Sequence, residues 1–96
     1  MSGTYRTKSQ STAALLRFAL GDDCHVATIM EPGRRASFEF RNTHEQNCEE
    51  LVKRFYGRDP VPINDAVGLL MMLHKVQKSM NAARRSRNGV WRIENE

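Results

Sequence analysis

Between Ile63 and Asn88 the chain has no proline, and beyond Asp65 no acid, so one long helix is the structure this stretch most readily takes. Its first half, Ala66-Val67-Gly68-Leu69-Leu70-Met71-Met72-Leu73, is apolar on almost every side, whereas its second half carries Lys75, Lys78, Arg84, Arg85 and Arg87. Ala66, Val67, Leu70, Leu73 and Gln77 recur at helical spacing on one face, and Leu69, Met72, Val76 and Met80 form a second row beside it. With Asn64 as N-cap, Asp65 at the positive end of the helix dipole and Asn88-Gly89 as the stop, the helix is expected over residues 64–88, a span of roughly 35 Å. The expected picture is a buried front end, with Leu70 inside, and a projecting cationic rear. Met71 and Met72 lie on different faces, so either this helix is central in the fold or a second protomer covers its far side in a homodimer.

The remaining segments are shorter. Thr4 to Thr7 alternates weakly around Tyr5 and reads as a short edge strand or a tail. Thr7 and Gln10 have capping-box spacing before the apolar run Ala13 to Leu20, which Gly21 ends, giving a first helix. Cys24 to Met30 and Arg35 to Arg41 read as strands, the second alternating Ala36, Phe38 and Phe40 against Ser37, Glu39 and Arg41. Pro32-Gly33 suits a type II turn, which makes the two strands a hairpin. Thr43 and Gln46 repeat the capping-box spacing before the stripe Cys48, Leu51, Val52, Phe55, a second helix that Gly57 closes and that should lie on the Phe38 and Phe40 face. Asp59-Pro60-Val61-Pro62 forces an extended elbow. Val90-Trp91-Arg92-Ile93 is short and rich in strand formers and is expected to return beside the hairpin. The fold class is therefore α+β, in the order α-β-β-α-α with a short C-terminal strand.

A chain of 96 residues with 40% hydrophobic residues is expected to form one globular domain over residues 1–96. No apolar run approaches the roughly 18 residues of a membrane span, and no basic region followed by an apolar core opens the chain. A cytoplasmic protein with Cys24 and Cys48 as free thiols is the expectation.

The succession Tyr5-Arg6-Thr7 before Ala13-Ala14-Leu15-Leu16, the hairpin ending Phe38-Glu39-Phe40, and Leu51-Val52-Lys53-Arg54-Phe55-Tyr56-Gly57 resembles a family of small uncharacterised proteins from phages and prophages. The resemblance covers residues of about 4 to 80 and brings no catalytic motif with it. What it implies is an accessory role: proteins of this kind bind nucleic acid, or bind and block a host defence protein. The basic arm from Arg84 onward lies outside the matched stretch.

Catalytic and cofactor chemistry find little support in these residues. Cys24 and Cys48 have His25 and His44 near them in sequence, but the spacing matches no nucleophile motif, and no glycine-rich phosphate loop occurs. Asp22-Asp23 and Glu49-Glu50 read as solvated charge. Two Cys and two His are a zinc-ligand inventory, yet Cys24, His25, His44 and Cys48 lack zinc-finger spacing, and Cys48 is needed on an apolar stripe. A buried thiol and two surface histidines, with no metal and no cofactor, is the expectation.

The basic residues carry the functional signal. Six Lys or Arg and no acid lie between Lys75 and Arg92, Arg34-Arg35 sits at the hairpin tip, and the net charge is +4. Such clusters attract phosphates, and Trp91 would stack on a base. The sequence thus predicts a DNA- or RNA-binding surface made of Arg34, Arg35, Lys75, Lys78, Arg84, Arg85, Arg87 and Trp91. The rival reading gives the same cations to an inhibitor, of the anti-CRISPR kind, that occupies an acidic or nucleic-acid-facing surface of a host complex.

Overall fold

The protein is described by a computed structural model covering residues 3–33, 35–42, 47–57 and 65–93. Seven main elements follow one another: strand β1 (Gly3–Thr7), helix α1 (Gln10–Leu20), strands β2 (His25–Glu31) and β3 (Arg35–Asn42), helices α2 (Cys48–Tyr56) and α3 (Ala66–Arg85), and strand β4 (Val90–Arg92). A short 3-10 turn, Asp22–Cys24, links α1 to β2. The α+β class holds, and the first segment is a strand rather than a tail. The antiparallel sheet runs β1-β3-β2-β4.

That order interlocks two units. β1 and β2 both run antiparallel to β3, so they are parallel to each other with β3 between them, a split β-α-β arrangement closed by the hairpin. β4 pairs antiparallel with β2 and is therefore parallel to β3, making a second split unit through α2 and α3. Gly33 has φ 87°, the positive value that the second central position of a type II turn requires. Gly89, at φ 68°, turns the chain from α3 into β4, and its carbonyl accepts from the Met30 amide at 2.7 Å to start the β2–β4 ladder.

Alternation along β3 sends Ala36, Phe38 and Phe40 to the side carrying the helices, where Ala13, Ala14 and Leu16 of α1, Cys48 of α2 and Val76 of α3 complete the core. Register with β3 places Arg6, Glu39, Arg41 and Arg92 on the other side of the sheet. Leu51, Val52 and Phe55 join the core from α2, as the stripe predicts, but α1 and α3 pack together as the main helical layer.

The helix ends depart from the capping expectations. Ser9, not Thr7, caps α1, accepting from the Thr12 amide at 3.2 Å, while the Thr7 hydroxyl accepts from the Ser9 amide. Asn47 caps α2 and accepts from the Glu50 amide; the expected pair Thr43 and Gln46 lies outside the described residues. Asp65 caps α3, with its Oδ1 accepting from the Gly68 amide at 2.8 Å. Asn64 and the Asp59–Pro62 elbow lie outside the described residues. The helix stops at Arg85, where Ser86 closes it, rather than at Asn88.

The larger correction concerns which part of α3 is inside. Its buried residues are Val76, Ser79 and Ala83, all in the second half, and Leu69, Met72, Leu73 and Met80 pack partly against the core. Val67, Leu70 and Met71 at the front are 69%, 65% and 56% exposed. Of the two apolar rows, the core takes the one running through Leu69, Met72, Val76 and Met80, because that row continues into the small residues Ser79 and Ala83, which let the helix lie close to β2 and β4.

Candidate functional site

The second half of α3 carries the cations on two sides. Lys78, Ala82 and Arg85 are separated by four and three residues and so share one side, where they line a shallow groove with Asn81 and Ser86. A neighbouring depression is bounded by Lys75, Lys78, Ser79, Ala82 and Trp91. Arg84 is turned away from these and meets a third groove, of about 310 Å³, between the start of α1, the start of β3 and the last turns of α3. Lys8, Gln10, Arg35 and Arg84 form the rim of that groove over Ala36, Phe38 and Met80. Arg87 is exposed in the turn that follows the helix. Arg34 and His44 lie outside the described residues.

Two of the predicted contacts have other partners. The Lys75 ammonium bonds Asp22 Oδ2 at 2.5 Å, and Asp22 Oδ1 faces Arg17 Nη2 at 3.4 Å. Burial alone would raise the Asp22 carboxyl, but the Lys75 hydrogen bond and the Arg17 charge hold it below its ordinary value. Asp22 is therefore an ion-pair partner rather than solvated charge. Trp91 is 7% exposed and its ring lies 4.8 Å from the His25 ring, centroid to centroid, so it packs inside the fold and leaves little surface for base stacking. Facing Thr28 across the β2–β4 ladder turns it inward.

His25 is fully buried, not on the surface as expected. Arg17 of α1, 1% exposed, donates from Nη1 to His25 Nδ1 at 2.7 Å. A guanidinium has donors only, so Nδ1 is the acceptor and Nε2 carries the proton. Nε2 then donates to Thr28 Oγ1 at 2.8 Å, Thr28 to Ser79 Oγ at 2.9 Å, and Ser79 to the Val76 carbonyl at 2.6 Å. Every hydroxyl in this path has one consistent direction. Burial and the adjacent Arg17 charge push the His25 pKa down to about 3, keeping the ring neutral. The path joins α1, β2 and α3. It depends on an irregularity between His25 and Ala27, where two residues of β2 stand against one step of β3. In a regular strand residues three apart face opposite sides; the extra residue, Val26, lets His25 and Thr28 both face the helices.

The thiols are engaged in the same quiet way. Cys24 Sγ donates to the Gly21 carbonyl at 2.8 Å, and burial raises its pKa to about 12; Cys48 Sγ donates to the Arg41 carbonyl at 3.6 Å. With His25 committed to Arg17 and Thr28, neither thiol has a histidine base among the described residues. No group of three or more potential metal ligands occurs among them either.

No protein-family model, curated protein or solved structure matches the chain. Geometry alone therefore supports the functional reading. Among the described residues no helix is long and apolar enough to cross a membrane. Of the predicted contacts, Arg35 and Arg84 converge on one groove, Lys78 and Arg85 on another, and Arg87 stands beyond the helix end. Residues that sequence reasoning passed over are Lys8 and Gln10, which complete the Arg35–Arg84 groove, and Arg6 and Arg41 on the sheet face away from the helices. The polar step Lys8-Ser9-Gln10 ahead of the α1 apolar run was the available signal for the first pair. Nothing local marks the second as sharing a surface with Arg92.

Proposed function

We propose that this protein binds nucleic acid through the phosphate backbone, as a small phage-type accessory protein with little sequence preference and no catalytic role. The observation that carries this reading is the exposure of Lys78, Arg84, Arg85 and Arg87, around the end of a helix that contains no acid, with Arg35 beside them. Cations at a helix C-terminus are also favoured by the helix dipole, so their presence alone does not require a ligand; their grouping around grooves together with Arg35 is what favours one. With Trp91 inside the fold, the stacking residue expected from the sequence drops out, and backbone charge is the source of affinity.

Four phosphate contacts predict a slope of log affinity against log salt of about −3 on single strands. Changing Lys78, Arg84 and Arg85 together to Glu should remove most binding at moderate salt, with the fold retained. A wild type without salt-sensitive binding to DNA or RNA at low ionic strength overturns the reading. One observation favours the rival inhibitor function: Val67, Leu70 and Met71 are exposed on the same helix, and a phosphate backbone offers them nothing. An inhibitor would copurify stoichiometrically with one host protein after nuclease treatment and show no affinity for free nucleic acid.

A further inference from the structure

The groove bounded by Lys8, Gln10, Arg35 and Arg84 differs from the other basic surfaces in its lining and in its charge balance. Its volume of about 310 Å³ falls at the lower end of the roughly 300–1,000 Å³ typical of small-molecule sites, so it has room for a ligand the size of a nucleotide. Phe38 is fully buried beneath it, leaving Ala36 and Met80 as its apolar floor.

Among the described residues three cations line the groove, and one acid reaches them: Glu31 Oε2 lies 3.2 Å from Lys8 Nζ. Glu31 also accepts from the Ser37 hydroxyl, and these two partners hold its carboxyl below the ordinary value, so it stays ionised against Lys8. The charges of Arg35 and Arg84 are left over. Across the floor, Gln10 Nε2 and Arg84 Nη2 both approach Met80 Sδ, at 3.9 and 4.0 Å. A thioether sulfur is a weak acceptor. One anion seated above it would lie within reach of both donors and would replace a weak contact with a charge-assisted one.

The surplus of two cations discriminates between kinds of phosphate. A phosphodiester within a strand carries one negative charge, whereas a phosphate monoester carries about −1.5 to −2 at neutral pH. We infer that this groove is a phosphate-monoester site, in which Arg35 and Arg84 take the phosphate of a nucleotide, Gln10 donates a neutral hydrogen bond, and the nucleotide is either free or the phosphorylated end of a strand. The strand-end form rests on the nucleic-acid reading proposed above; the free-nucleotide form does not.

Fluorescence anisotropy with short single strands identical except for a 5′-phosphate or a 5′-hydroxyl, beside titrations of AMP and of adenosine, tests it. The phosphorylated strand should bind roughly tenfold tighter, equivalent to about 1.4 kcal/mol, and AMP but not adenosine should bind and abolish the difference. Arg84→Gln and Arg35→Gln should equalise the two strands, whereas Lys78→Gln with Arg85→Gln should weaken both and preserve the ratio. All four positions are exposed, and thermal melts of each variant separate loss of binding from loss of fold. If AMP binds in an Arg84-dependent way while neither strand does, the groove stands as a free-nucleotide site and the nucleic-acid reading fails. Equal binding of the two strands with no AMP binding overturns the site, and so does an end preference that survives Arg84→Gln.

Discussion

At the residue scale, His25 decides the most. Its ring is held between the Arg17 guanidinium and Thr28 and stacks 5.0 Å from Phe40, so a second ring proton would face a cation with no acceptor. The unfolded chain takes up that proton near pH 6.5 and the folded one near 3. Between those values the unfolded state binds more protons, so stability is full above about pH 6.5 and falls as pH drops toward 3, by on the order of 5 kcal/mol. Urea midpoints measured from pH 7.5 down to 5 should decline, and more steeply in wild type than in His25→Gln, which keeps a neutral amide near Nε2. Parallel pH profiles would show that the histidine is not the titrating group. Trp91→Ala should cost about 3–5 kcal/mol through the cavity it leaves, read in thermal melts, with no loss of nucleic-acid affinity beyond the fraction unfolded.

At the scale of the element, α3 shows how an apolar count misleads. Leu70 belongs to an apolar row and is nonetheless 65% exposed, so Leu70→Ala should change stability by no more than about 0.5 kcal/mol, in place of the 2–5 kcal/mol a core leucine would cost. Val76 is fully buried against the same core, and Val76→Ala should cost at least about 1.5 kcal/mol from two lost methyl groups, with the cavity adding to it. Chemical denaturation of the two variants side by side checks which row faces in. The cap supplies a third comparison: Asp65→Ala removes the acceptor of the Gly68 amide and should cost about 1 kcal/mol.

For the whole molecule, the helical layer covers one side of the sheet, and the other side carries Arg6, Arg41 and Arg92. Arg6 is tied to Glu39 at 2.9 Å, an exposed pair of small energetic weight. The homodimer expected through Met71 and Met72 loses half its seam, because Met72 packs inward against the core of its own chain. Among the described residues Val67, Leu70 and Met71 remain, far short of the roughly 800 Å² per partner of a standard interface. Sedimentation should therefore find a monomer, and Met71→Lys should change neither mass nor melting temperature appreciably. A wild-type dimer that this lysine splits would restore the seam.

What the sequence determined by itself is local. Pro32-Gly33 sets the hairpin turn, alternation sets the inward Phe38 and Phe40, the α2 stripe and its stop at Gly57 are legible, and Val90 to Arg92 declares itself a strand, because turn chemistry and periodicity act between near neighbours. The same is true of the cations around the end of α3, whose identity as a basic cluster is plain from composition. Tertiary structure decided what depends on contacts distant in the chain. The two apolar rows on α3 read as one wide buried stripe, and only the contact of Ser79 and Ala83 with the sheet decided which of them faces in. Arg17 sits in an apolar run and is buried with it, where His25, placed inward by the extra residue in β2, accepts a hydrogen bond from its guanidinium. Trp91 is withdrawn from any ligand by pairing opposite Thr28. Lys8 and Gln10 join Arg35 and Arg84 only because β1 and α1 bring the chain's beginning against the end of α3, a juxtaposition that no spacing in the sequence encodes.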